Sequence, residues 1–142
     1  VTEQLQRTRA RGAGLAGRAG LPLLLYVLVL AVVLFSPTSH LQTALVNDLV
    51  RVLQAVLPDS WVTFTRVEVL MNAVIIAPVS LLGSRVWPRL RWQDWTAYGF
   101  VGASTVELIQ GVLLPGRHAS FSDIVANTIG ALLGAVLYRR LR

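Results

Sequence analysis

The chain has 142 residues, of which 54% are hydrophobic and only 14% charged, against about 25% charged in ordinary soluble domains. That is one domain's length with too little polar surface to cover a water-soluble core. The net charge of +6 comes from thirteen Arg and no Lys, and with no Cys the chain excludes disulfides, thiol catalysis and Cys-ligated zinc.

The Arg residues fall in short clusters between apolar stretches. This suits anionic headgroups better than the continuous basic face of a nucleic-acid binder, so no nucleic-acid partner is expected. Arg without Lys, beside abundant Ala and Gly, reads as the codon bias of a GC-rich bacterium.

Residues 1–19 are polar, Gly-rich and basic and read as a disordered cytoplasmic tail. Leu21 to Phe35 is an uncharged run, extended by Ser36 and Pro37, and predicts a first membrane helix over about 20–37. A basic tail before an apolar core is also the layout of a signal peptide, but no Ala-x-Ala pattern follows Phe35, so a retained helix is expected. In residues 38–66, Leu41, Ala44, Leu45, Leu49, Val52, Leu53 and Val56 repeat at helical spacing until Pro58. This predicts a short amphipathic helix on the outer leaflet or capping the bundle, read as a packing element ahead of a gating lid.

Three more apolar segments follow, at 67–86, 95–114 and 121–138, each long enough for a hydrocarbon core of about 30 Å. Residues 139–142 form a basic cytoplasmic end. Ten of the thirteen Arg residues lie on one side of a four-helix arrangement, leaving Arg51, Arg66 and Arg117 on the other. The positive-inside rule makes the Arg-rich side cytoplasmic. Trp87, Trp92, Trp95 and Tyr138 gather at the same boundary, as an interfacial aromatic belt does. The expectation is an all-α, multi-pass protein of the bacterial inner membrane: a four-transmembrane-helix bundle over residues 20–138 with both termini inside. No internal repeat is visible, which argues against an inverted-repeat transporter within this chain.

Polar residues inside the apolar segments are few and share a depth. At 1.5 Å per residue, Glu107 lies about 3–4 Å and Gln110 about 8 Å outward of their helix midpoint; Asn127 lies about 4 Å, Asp123 about 10 Å and Asn72 about 7 Å outward of theirs. Glu107 and Gln110 are i,i+3, and Asp123 and Asn127 are i,i+4, so each pair shares a helix face. Ala126, Gly130 and Gly134 form a small-residue stripe that admits a close neighbour, either within the bundle or between copies in a homo-oligomer. The loop after Leu114 adds Arg117 at the outer mouth of this slab. Two readings stay open: a buried network that only fixes packing, or a site for a polar headgroup or acid–base chemistry, with Glu107 and Asp123 as the catalytic candidates. His118, Asp123 and Glu107 match no metal-ligand spacing, His40 reads as interfacial, and neither metal nor cofactor is expected.

Asn72 with Pro78, then Glu107-Leu-Ile-Gln110, then Arg117, then Asp123-Ile-Val-Ala-Asn127-Thr-Ile-Gly130-Ala-Leu-Leu-Gly134 resembles the VanZ-like family of small membrane proteins, over about residues 67–138. The chain departs from the family pattern at Ser120, where an acidic residue is common, and at Ile76-Ala-Pro78-Val-Ser80, where Phe-x-Pro-x-Gly is usual. The resemblance implies a four-helix inner-membrane protein with a link to glycopeptide (teicoplanin) susceptibility. On that basis Asn72, Glu107, Gln110, Arg117, Asp123 and Asn127 are expected to bind a membrane lipid or lipid-linked cell-wall precursor. The alternative is an intramembrane enzyme acting on a lipid-linked envelope substrate through carboxylate acid–base chemistry.

Overall fold

In the computed structural model, which describes residues 19–36, 40–114 and 119–142, the apolar segments fold as helices and no strand occurs among the described residues. There are five: α1 Ala19–Leu34, α2 His40–Gln54, α3 Phe64–Val86, α4 Trp92–Leu113 and α5 Phe121–Leu141. Helices α3 and α4 each begin three residues before their apolar runs, because capping rather than hydropathy sets the start. Thr63 Oγ1 accepts from Arg66 N at 3.4 Å to open α3. The Asp94 carboxylate accepts from Arg91 N at 2.7 Å to open α4. Ser120 Oγ accepts from Asp123 N at 3.4 Å to open α5. Helix α5 then continues to Leu141, so Arg139 and Arg140 occupy its last turn, where cations complement the helix dipole.

Helix α5 packs against both α3 and α4. A Cβ added at Gly130 would meet the Ala73 carbonyl, and one at Gly134 would meet the Ala77 carbonyl and Ser80 Oγ. The rising pairs 73 with 130 and 77 with 134 make α3 and α5 parallel. A Cβ at Gly99 would meet the Ala131 methyl, and Glu107 reaches Ser120, so α4 runs antiparallel to α5. The stripe of Ala126, Gly130 and Gly134 is therefore buried inside this chain, with its two glycines against α3. Helix α1 spans the remaining side: Tyr26 OH donates to Ile75 O at 2.6 Å, and Gln110 Nε2 donates to Leu34 O at 2.7 Å.

Helix α2 folds back on the start of α3. Val46 is buried with Val62 and Val67, and Leu49, Val50, Leu53, Phe64 and Met71 pack around them. The face in use is thus Val46, Leu49, Val50 and Leu53, whereas Leu45, Val52 and Val56, expected on the packed face, are exposed. The helix is apolar on two sides, and its periodicity does not say which side meets protein. Trp95 also departs from expectation. Rather than joining a surface belt it is buried over Gly83, in edge contact with Tyr98 at 6.1 Å between ring centroids.

The burial pattern is the inverse of a water-soluble bundle. Large apolar side chains such as Leu70, Val74, Phe100, Val112, Leu133 and Leu137 face outward, while Ser80, Ser84, Glu107, Gln110 and Asn127 lie inside. Helices α3 and α5 are long and apolar enough to cross a membrane, yet only 22% and 33% of their spanning windows are buried in the fold. A core helix of a soluble protein would be mostly buried. An apolar exterior over a small, polar interior fits hydrocarbon as the solvent.

The contact between α5 and α3 gives a direct test. Gly134→Ala should destabilise the fold by about 1–3 kcal/mol through overpacking, although alanine is the better helix former. Gly102→Ala, with open space around it, should be neutral or slightly stabilising. Thermal melts of the detergent-solubilised protein check both; a wild-type melt for Gly134→Ala would rule out the close approach.

Candidate functional site

At the end of the bundle where α3 and α5 begin and α4 ends, a cavity of about 120 Å³ opens between α1, α3, α4 and α5, with α2 across it. Of the residues read from the sequence, Asn72, Glu107, Gln110, Asp123 and Asn127 all line this one space. Arg117 and His118 lie outside the described residues. The parallel register of α3 and α5 is what brings Asn72 to Asp123, and Asn72 Nδ2 donates to Asp123 Oδ1 at 2.8 Å. Glu107 Oε2 accepts from the Ser120 backbone N–H at 2.6 Å. Both carboxylates thus sit at the start of α5, where unpaired N–H groups and the positive end of the helix dipole favour negative charge.

The amides serve the opposite polarity. Gln110 takes the Leu34 carbonyl at the end of α1, and Gln42 Nε2 donates to the neighbouring Val33 carbonyl at 3.0 Å. Carbonyls in the last turn of a helix lack intrahelical donors, and in hydrocarbon such groups must be satisfied internally. Asn127 is buried one turn along α5 from Asp123.

Two lining residues were not singled out in the sequence. Glu68 lies one turn before Asn72 on the same face of α3 and joins Asp123 at the cavity; its i,i+4 spacing from Asn72 was the available signal. Gln42 comes from α2, and nothing local in the sequence says that α2 folds across the site. Three carboxylates, Glu68, Glu107 and Asp123, therefore surround the space. Among the described residues, no group of three or more His, Cys, Asp or Glu is arranged to hold a metal ion.

A second, apolar cavity of about 200 Å³ adjoins the first on the side toward the opposite end of the bundle. The two share Leu30, Leu34, Ile76 and Asn127, and the deeper part adds Val27, Val79, Tyr98, Gly102 and Val106. The first space is bordered by carboxylates and amides, and the second is almost wholly apolar.

Inverted burial and a polar cavity at one bundle end define a small helical membrane protein with an internal site. The chain belongs to the VanZ/LLP1 family, whose model matches residues 23–142. No curated protein and no solved structure matches it.

The Asn72–Asp123 contact should be energetically coupled. A double-mutant cycle of Asn72→Ala and Asp123→Ala, read by unfolding in mixed micelles, should return about 0.5–2 kcal/mol, the range for interhelical hydrogen bonds in membranes. Additive effects would mean that the two side chains do not meet.

Proposed function

We propose that this VanZ/LLP1 protein crosses the bacterial inner membrane four times, through α1, α3, α4 and α5. Both termini are cytoplasmic, and α2 lies at the outer face. There it binds the headgroup of a membrane lipid or lipid-linked cell-wall precursor and lowers susceptibility to glycopeptides such as teicoplanin. The observation that carries the reading is a polar cavity adjoining an apolar one, with Leu30, Leu34, Ile76 and Asn127 in the walls of both. A headgroup rich in hydroxyl or amide donors meets Glu68, Glu107 and Asp123, while a hydrocarbon chain follows Leu30, Ile76 and Val106. Arg117, in the loop between α4 and α5, contacts the anionic part of the ligand.

The topology rests on the alternating helix directions and on the gathering of Arg85, Arg89, Arg91, Arg139, Arg140 and Arg142 at one end. With no native Cys, single cysteines report sidedness cleanly. Ser60→Cys should react with an impermeant maleimide in intact cells, and Arg89→Cys should react only after permeabilisation. The reverse labelling would invert the topology and place the polar cavity on the cytoplasmic side.

The functional test is teicoplanin susceptibility of cells expressing wild type, Glu107→Gln or Arg117→Ala at equal membrane levels. Wild type should protect and both variants should lose that protection. No protection by wild type would remove the glycopeptide role. A second reading, acid–base chemistry on a lipid-linked substrate, draws on the three carboxylates around one cavity. It requires that Glu107→Gln abolish turnover while binding survives, whereas the binding reading has no turnover to lose.

A further inference from the structure

The opposite end of the bundle carries a second site, built from different residues. A cavity of about 460 Å³ lies between the α3–α4 turn and the end of α5, lined by Arg89, Arg91, Arg139 and Arg142 with Trp92 and Tyr138. A neighbouring cavity of about 390 Å³ shares Tyr138 and Arg142 and adds Arg85 against Ala19, Pro22, Leu82 and Leu141. Five exposed arginines thus line two hollows that share Tyr138 and Arg142. Among the described residues, the one carboxylate in ion-pair contact with any of them is Asp94, at 4.0 Å from Arg91 Nε.

Two general causes place arginines at such an end, and neither accounts for this arrangement. The helix dipole favours Arg85 in the last turn of α3 and Arg139 in the last turn of α5. It disfavours Arg91, which is the N-cap of α4 and sits at a positive helix end. The charge bias that sets orientation acts on which side a residue lies, not on which space it faces. Arg140 shows the difference: it shares the last turn of α5 yet lines neither hollow. Guanidinium groups collected around a concave space repel one another unless an anion is shared between them.

We propose that these hollows bind an anionic phospholipid. Its phosphodiester headgroup sits among Arg89, Arg91, Arg139 and Arg142, and a chain leaves past Leu82, Pro22 and Leu141. The chemistry common to all candidate ligands is a phosphate oxygen accepting from guanidinium, which suits bidentate contacts. The apolar lip of the second hollow selects a lipid over a free phosphate, because a soluble anion leaves that surface unused. Aromatic Trp92 and Tyr138 at the rim stand where amphipathic rings settle beside headgroups. Basic pockets between helices at a cytoplasmic face are a recurrent form of lipid-headgroup site.

The test uses the full chain in detergent micelles, titrated with phosphatidylglycerol, phosphatidylcholine or inorganic pyrophosphate, with bound lipid read by native mass spectrometry. Phosphatidylglycerol should be retained at least several-fold over phosphatidylcholine. Arg139→Gln and Arg142→Gln should each weaken its retention on the order of 5-fold, from about 1 kcal/mol per arginine. Arg140→Gln should leave it within about 2-fold, because Arg140 lines neither hollow. Thermal melts of each variant confirm that the fold persists; a variant that melts early is replaced by Arg142→Lys, which should weaken retention less than Gln because charge remains. Equal losses from Arg140→Gln and Arg142→Gln would reduce the effect to diffuse surface charge and overturn the site. Equal retention of phosphatidylcholine would overturn it as well, and displacement of the lipid by pyrophosphate would make it a soluble-phosphate site instead.

Discussion

The fold depends on the approach of α5 to α3, where Gly130 and Gly134 lie against the carbonyls of Ala73 and Ala77. In hydrocarbon there is no hydrophobic drive to bring apolar helices together, so association rests on close packing and interhelical hydrogen bonds. Two glycines one turn apart allow backbone-to-backbone contact along a full turn and fix the register of the pair. That register places the first turn of α5 beside Asn72 and so creates the Asn72–Asp123 bond. On the other flank, Gly99 against Ala131 seats α4, and Glu107 then reaches the start of α5. The polar cavity is a consequence of where the glycines let the helices meet.

Several polar side chains near that cavity have tasks that hydrocarbon imposes. Gln110 and Gln42 satisfy carbonyls at the end of α1, and Glu107 takes an N–H that α5 cannot pair within itself. These bonds make the residues necessary for folding, and a packing network explains them without a ligand. It does not explain why space remains. A network built only for packing would close over its polar atoms, since open volume among buried polar groups forfeits contacts on every side. Here Glu68 and Asp123 border a hollow that adjoins an apolar slot. The same residues hold the helix ends and shape the hollow, so a substitution there changes the fold and the shape of the hollow together.

How much of this was legible in the sequence follows from how local each signal is. Depth along a helix is arithmetic, and i,i+3 or i,i+4 spacing fixes a face. Asn72, Glu107, Gln110, Asp123 and Asn127 were therefore readable as one slab, and the structure lines one cavity with them. Glu68 carried the same spacing signal but looked like a charge marking the start of an apolar run. Helix starts were read from hydropathy and came out late at α3 and α4, because Thr63 and Asp94 extend each helix into more polar sequence. The orientation of α2 was not readable. With apolar residues on two sides, the choice of Val46 over Leu45 as the packed residue is made by Val62 and Val67, which are distant in the pattern. Trp95 is a similar case: a tryptophan near a boundary suits a surface belt, and only the missing side chain at Gly83 makes room for it inside.

Helix α5 joins two kinds of chemistry. It carries Asp123 in its first turn and Arg139 and Arg140 in its last, so its charges match its dipole at both ends. Sixteen residues separate Asp123 from Arg139, about 24 Å at 1.5 Å per residue, a little less than the hydrocarbon thickness of about 30 Å. Each charged group can therefore reach an interface from a helix that is apolar between. The slot below the polar cavity reaches Tyr98 and Trp95, and the arginine-lined hollows share no lining residue with either upper cavity. Trp95, buried over Gly83, lines the apolar slot and neither of the arginine-lined hollows. In a chain of 142 residues, the two ends of the same helices thus line separate hollows with different chemistry, carboxylates and amides at one and arginines at the other.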